Sequence, residues 1–498
     1  MSELRSYQFP APTTSGLMLG LSAPRLVAVG LAGVTFVLAM AVQTAAALLL
    51  AAISIVALLA AVFVRVGGRP AIDWVPVWVA FGWAAATRNN EFYASPDLSV
   101  DLPPETLDLP GELFGLELHS LAPSPAVSVA NATPAEYGVV VDTFRHRLVA
   151  VAEVSGEDFL FLDPCDEQAR VSAWGATLDH IAQSMPELCR VQVVHTAGPS
   201  SVEGLVGYHD GHGGRGPEAA AQSYRHVLAR SGAASQEHRL LVAIALDARA
   251  ARRAVRQAGG GTVGAGKVLM DRAAAVEEAL SGCGLEVHGW LPARAIAQVL
   301  RVGFDPAARV ALAEQSDDVN AGGGVEPSAA GPYGMVDQWS MLRHDSGWST
   351  TLQVVGPPTR PVTGDFLQHL LIGVPAQRRM SLLYVPTPME VAERRAQTQQ
   401  VGAEAEQAVR ARWGFATTAR HRREHGDAAK REQDLVEGRA VYRVVWLITV
   451  TAASPAELDA SVGQLEAAGR RCGLELRRMA GTQRQAAGFT LPLCRGAR

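Results

Sequence analysis

Residues 26–42, LVAVGLAGVTFVLAMAV, and residues 45–64, AAALLLAAISIVALLAAVFV, carry no charged side chain, and only Gln43 and Thr44 separate them. Each run is roughly 17–20 residues, about the length that crosses a hydrocarbon core at 1.5 Å per residue. One uninterrupted helix would be far too long, so the pattern reads as a two-helix transmembrane hairpin over residues 25–66. Arg5 and Arg25 precede it, Arg65, Arg69 and Arg88 follow it, and the turn is uncharged. Basic residues stay on the cytoplasmic side, which places both termini in the cytoplasm and the chain in the inner membrane. A secretory signal peptide is the alternative; the second, longer apolar run argues against cleavage.

Just beyond lies Trp74-Val75-Pro76-Val77-Trp78-Val79-Ala80-Phe81-Gly82-Trp83. Trp74, Trp78 and Phe81 share a face at helical spacing. Trp74, Trp78, Phe81 and Trp83 are therefore candidate membrane-interface anchors, because indole rings favour the headgroup region. An ordinary helix buried on a soluble domain fits the same spacing.

The 498 residues allow two or three domains with cores of their own. Composition is globular, 48% hydrophobic and 19% charged, with mean hydropathy +0.10. A net charge of -5 opposes a broad nucleic-acid footprint, which needs a concentrated positive field, so no direct nucleic-acid binding is expected. Cys165, Cys189, Cys283, Cys472 and Cys494 are scattered and form no Cys-x-x-Cys pair, so they read as buried free thiols in a reducing cytoplasm.

The remaining chain mixes strand and helix patterns. A tail (1–24) precedes the hairpin, and a juxtamembrane helix and junction occupies 67–134. A first cytoplasmic α+β domain spans 135–319, with strong strand signals at Tyr137–Asp142, Leu148–Val154, Cys189–His195 and His238–Leu246. A Gly-rich linker covers 320–334. A second α+β domain, 335–498, runs strand, helix pair, strand, helix, strand, a ferredoxin-like order with a helical arm inserted at 388–437. The expected fold class is α+β: an N-terminal transmembrane hairpin and two cytoplasmic domains. No internal sequence repeat is found.

Three motifs resemble chemistry. Gly261-Thr262-Val263-Gly264-Ala265-Gly266-Lys267 matches a phosphate loop. Val268 stands where the motif needs a hydroxyl, and a helical pattern precedes it where a strand belongs. His421-Arg422-Arg423-Glu424-His425 matches an inverted zinc-peptidase motif, but Arg420, Arg422, Arg423 and Lys430 would repel a dication. His209 and His212 lie in a Gly-rich loop, and two histidines make a poor metal site. A flexible loop, a solvated charged helix and a solvated loop are the respective plain readings. No catalytic, cofactor or metal residue is assigned.

Several stretches, taken in order, resemble an actinobacterial conjugation family. In it a PrgI-like two-helix membrane subunit is fused to the amino-terminal domain of a type IV secretion ATPase, without the motor. The stretches are Arg5-Ser6-Tyr7, the hairpin, Val302-Gly303-Phe304-Asp305-Pro306, Gln338-Trp339 with Arg343-His344-Asp345, Arg378–Pro386, and Gly481-Thr482-Gln483 with Ala486–Pro492. The family's Gly-Trp after the Ser/Thr-Tyr is missing; Gln8-Phe9-Pro10 stands there. The resemblance implies a non-enzymatic inner-membrane subunit that docks a separate motor ATPase and other secretion subunits, with self-assembly into a ring. The chain is also similar to the EccE proteins of type VII secretion, which place a membrane hairpin before a cytoplasmic domain. The remaining alternative is an enzyme using Gly261–Lys267 or His421, Glu424 and His425.

Overall fold

A computed structural model describes residues 9, 23–42, 44–94, 105–122, 136–156, 162–199, 218–232, 236–309, 311–312, 324–398, 426, 429–430 and 433–496. They form two compact units. One comprises 91–392 and 434–498, together with the first nine residues; the other comprises 10–90 and 393–433.

The smaller unit contains helices α1 (Ala23–Val42) and α2 (Ala45–Phe63), packed on each other. Two short strands follow, β1 (Arg65–Val66) and β2 (Arg69–Pro70). The turn between them is Gly67-Gly68, both at positive φ (57° and 78°), as a tight two-residue hairpin requires. A single 3-10 turn, Ala71–Trp74, leads into helix α3 (Val75–Ala86), with Pro76 in its first turn where the missing N–H costs nothing.

Among the described residues no helix is long and apolar enough to cross a membrane. That finding corrects the expected transmembrane hairpin at 25–66. The expectation weighed the length of the uncharged run. The first turn of α1 is Ala23, Pro24 and Arg25, and eight of the nineteen residues of α2 are alanine, which removes less apolar surface from water than a leucine or isoleucine does.

The larger unit is built on one sheet. Its strands are β3 (Glu91–Tyr93), β4 (Leu116–Leu121), β5 (Tyr137–Asp142), β6 (Arg147–Gly156), β7 (Leu188–Pro199), β8 (Gln236–Asp247), β9 (Leu285–Trp290), β10 (Gly334–Asp337), β11 (Leu342–His344), β12 (Gly347–Gly356), β13 (Gln377–Thr387), β14 (Val441–Ala452) and β15 (Glu475–Arg478). The order across the sheet is β3-β10-β11-β12-β14-β13-β7-β8-β6-β5-β4, with β15 on β12 and β9 on β6. Helices α4 (Pro164–Ser184), α5 (Glu218–Gly232), α6 (Arg252–Gln257), α7 (Gly261–Gly282) and α8 (Ala293–Phe304) intervene in the first part. Helices α9 (Gln368–Leu371), α10 (Pro455–Arg471) and α11 (Gln483–Phe489) intervene in the second.

Strands β6, β7, β8 and β9, with α4 and α7, make a β-α-β-β-α-β module in the lateral order β9-β6-β8-β7, the ferredoxin-like arrangement. Strands β12, β13, β14 and β15, with α9 and α10, make a second in the order β15-β12-β14-β13. The segments expected as separate domains thus share a sheet, because β7 of one pairs antiparallel with β13 of the other. Residues 324–333, expected as linker, are packed in part: Val325, Pro327 and Ala330 are buried. Gly331 leaves no room for a side chain against the Asp108 carbonyl, so this glycine serves close approach.

Strand β8 shows why the sequence makes such a sheet. Leu241, Ala243 and Ala245 face one core, while Val242, Ile244 and Leu246 face the other. Both faces are covered, so the strand reads as a continuous apolar run. Helix α8 supplies the first of those covers, burying Ile296, Ala297, Leu300 and Phe304 on one stripe. Helix α10 begins at a proper cap: Ser454 accepts from the Glu457 N–H at 3.3 Å.

Candidate interaction surfaces

The proposed anchor residues lie in the smaller unit and take different environments. Trp74 is 7% exposed; its indole N–H donates to the Val66 carbonyl at 2.8 Å, beneath the Arg69 guanidinium. It ties the β1–β2 hairpin to α3. Trp78 and Trp83 are 53% and 71% exposed, with Val75 and Val79 exposed beside them; Phe81 is half-buried. Helix α3 has no charged residue. On α1 and α2, Leu31, Val37, Leu38, Leu50, Ile53 and Val56 are also exposed. Contiguous apolar surface of this kind marks a place where lipid or protein sits.

The larger unit has an open groove of about 490 Å³ lined by Gly111, Glu112, Phe114, Phe144, Arg145 and Arg484. Phe114 and Phe144 are stacked, 6.4 Å between centroids, and remain 69% and 66% exposed. Two glycines make the arrangement possible. Gly115 (φ 76°) leaves the space that the Phe144 ring fills, and Gly111 (φ 60°) leaves the space beside Arg484. Arg145 lies 3.7 Å from both Glu112 and Asp142. Nothing in the sequence announces this groove, because its residues come from separate segments.

Beneath the sheet lies a buried polar network. Gln192 on β7 donates to Ser381 Oγ (2.8 Å), Leu491 O (2.9 Å) and Phe489 O (3.1 Å), and accepts from the Cys494 N–H (2.6 Å). Arg190 donates to Cys494 O at 2.7 Å. Arg379 donates to Thr490 Oγ1 and Gly303 O, and burial lowers its guanidinium to about 10. The carbonyl ends of α8 and α11 converge here, where a cation is favoured. The network fixes the C-terminal segment against the sheet, and burial pushes the Cys494 thiol up.

Two histidines to which the sequence assigns no site role are also held neutral. His195 lies 3.0 Å from His238 across β7 and β8, and burial drives it down to about 4. His344 bonds Ser349 at 2.6 Å, and burial likewise drives it to about 4. Both values lie below the ordinary 6.5, so acid protonates the unfolded chain first. These two groups therefore draw stability down as pH drops from 6.5 towards 4, while buried Asp337, raised to about 6, opposes one of them in the lower part of that window, so about one net proton is taken up on unfolding there. Denaturant titrations at stepped pH check this; a flat profile through that window contradicts it.

The phosphate-loop match is not a loop. Gly261–Lys267 forms the first turns of α7, and α6 precedes it. Gly264 is there for packing: a Cβ would lie 2.7 Å from the Val255 carbonyl oxygen. Lys267 is exposed. Gly264→Ala is expected to destabilise by about 1–3 kcal/mol through overpacking. Lys267→Ala is expected to stay within about 0.5 kcal/mol. Thermal unfolding of both variants checks the pair, and a large loss at Lys267 contradicts this reading. His209, His212, His421, Glu424, His425 and most of the 388–437 arm lie outside the described residues. Among the described residues no cluster of three or more His, Cys, Asp or Glu side chains is placed to hold a metal.

Residues 234–354 match the profile of the EccE family, which carries the provisional description of a type VII ESX secretion system translocon. The matched stretch runs from β8 into β12. This corrects the type IV conjugation resemblance: the secretion machinery indicated is type VII. No curated protein matches the chain.

Proposed function

We propose that this chain is a non-enzymatic structural subunit of a type VII (ESX) secretion translocon, working on the cytoplasmic face of the inner membrane. The observation that carries the reading is the EccE profile match over 234–354. The exposed apolar surface of α1 to α3, with Trp78 and Trp83 outermost, supports contact with the bilayer. The larger unit is the docking body for other translocon subunits, among them a separate motor ATPase. The glycines of 261–266 are consumed in turns and helix packing, which supports a role without nucleotide chemistry.

Tagged protein purified from native membranes in mild detergent, with mass spectrometry of what accompanies it, tests the proposal. Recovery with ESX translocon subunits and a motor ATPase is the expected result. Recovery alone, or from the soluble fraction, would remove the reading.

A further inference from the structure

The two ferredoxin-like modules correspond strand for strand, and the pairing ladders fix the correspondence without reference to residue types. The β7–β13 ladder runs from Arg378↔Ala197 to Tyr384↔Val191, and its midpoint is Ser381↔Val194. From Val194 the ladders lead to Leu241 on β8 and then Glu153 on β6. From Ser381 they lead to Leu447 on β14 and then Gln353 on β12. The correspondence equates Leu241 with Leu447. Stepping on equally along the strands, it equates Gly156 with Gly356 and Pro199 with Pro386, identical residues in each case. Each module is entered by a hairpin (β5–β6, β11–β12), carries its fourth strand on the same side, and shifts register at that strand.

The exits from the second long helix match too. Cys283-Gly284-Leu285-Glu286 follows α7, and Cys472-Gly473-Leu474-Glu475 follows α10. Both cysteines are buried, and both glycines have positive φ, 80° and 72°, where they end the helix. The next helices each close on Gly-Phe: Gly303-Phe304 in α8 and Gly488-Phe489 in α11.

The modules also exchange their ends. Arg301 on α8 of the first reaches Asp345 in the β11–β12 turn of the second, at 2.8 Å. Arg495, beyond α11 of the second, reaches Asp142 at the end of β5 in the first, at 3.0 Å. Both pairs are buried. These pairs tie the closing segment of each module to the entry hairpin of the other through non-equivalent residues; the isologous relation itself is carried by the β7–β13 ladder, in which Ala197 faces Arg378 and Val191 faces Tyr384 about the same midpoint.

We infer that the chain is a tandem duplication of one module, and that the β7–β13 junction is a two-fold dimer interface enclosed within a single chain. The partner that fits the β7 edge is a second copy of the same module, with the two-fold axis between Val194 and Ser381. The chain therefore presents two related copies of the module's outer surface to whatever it docks.

The test uses the full chain with a protease site inserted in residues 313–323. The cleaved protein is denatured, refolded and examined by native mass spectrometry and under mild oxidation. With Val194→Cys, first modules should recover partly as pairs with each other and link through the two thiols introduced at position 194, because a residue on the axis faces itself at disulfide distance. With Ala197→Cys alone no such link should form, since that position faces residue 191 of the other copy. In the uncleaved chain, the double change Val194→Cys with Ser381→Cys should close an internal disulfide. First modules recovered only as monomers, as aggregate or solely with second modules would overturn the inference, as would equal linking through positions 194 and 197.

Discussion

Replacing Arg301 with alanine lowers the free energy of unfolding by about 3–5 kcal/mol. The guanidinium is buried and fully engaged. It pairs with Asp345 at 2.8 Å and Asp305 at 3.0 Å, donates to the Gly331 carbonyl at 2.6 Å, and lies 4.0 Å from the Tyr333 ring centre. Alanine would leave Asp345, itself buried, as an uncompensated charge, and that desolvation penalty dominates the loss. Arg301→Lys should recover only part of it, because an ammonium cannot reproduce the planar fork or the stacking. The double change Arg301→Met with Asp345→Asn should cost much less than the alanine variant, since it removes the charge with its partner. Denaturant unfolding of the three variants checks this. Equal losses in all three would mean that packing alone holds the α8 end.

Gln192→Ala is the second large effect, about 3–5 kcal/mol from the buried groups it strands. Its amide alone satisfies the Cys494 N–H and contributes to Leu491 O, Phe489 O and Ser381 Oγ. Truncation leaves backbone groups of the C-terminal segment without partners in a dry environment, each at roughly 1–3 kcal/mol. The segment should then open locally before the rest of the sheet does. Cys494 reports that opening. Its thiol is buried in the native chain, and in the variant it should react with a thiol reagent well below the denaturation midpoint. Unchanged Cys494 reactivity in Gln192→Ala would show that the apolar contacts of Leu491 and Leu493 suffice to hold the segment.

Much of the larger unit was legible in the sequence, because its strands are local apolar runs. His238–Leu246 lies within β8, and the helix expected at Ser454–Ala468 begins one residue later and runs on to Arg471. Three features were not legible, for different reasons. Gly261–Lys267 contradicts its own propensity: glycines disfavour a helix, yet contacts with Val255 and Leu121 set one there. The Phe114–Phe144 groove and the Gln192 network join residues far apart in sequence, so no spacing could reveal them. The repeat was within reach, since Cys-Gly-Leu-Glu occurs at 283–286 and 472–475. The modules have otherwise diverged: Gln192 corresponds to Arg379 and Val194 to Ser381, so polarity patterns do not align. The apolar runs at 26–42 and 45–64 misled for a further reason. Freedom from charge also describes helices that pack in pairs at a surface, and Trp74, grouped with the exposed tryptophans by spacing, is buried against its own hairpin.

The central claim is participation in type VII secretion. Export of ESX substrates into the culture medium, measured in a strain lacking this chain and in the same strain complemented with it, tests that claim most directly. Export is expected to be lost without the chain and restored by the full-length protein. Restoration is also expected with Lys267→Ala, and failure of restoration with the double change Trp78→Glu and Trp83→Glu. Undiminished export in the deletion strain would contradict the claim.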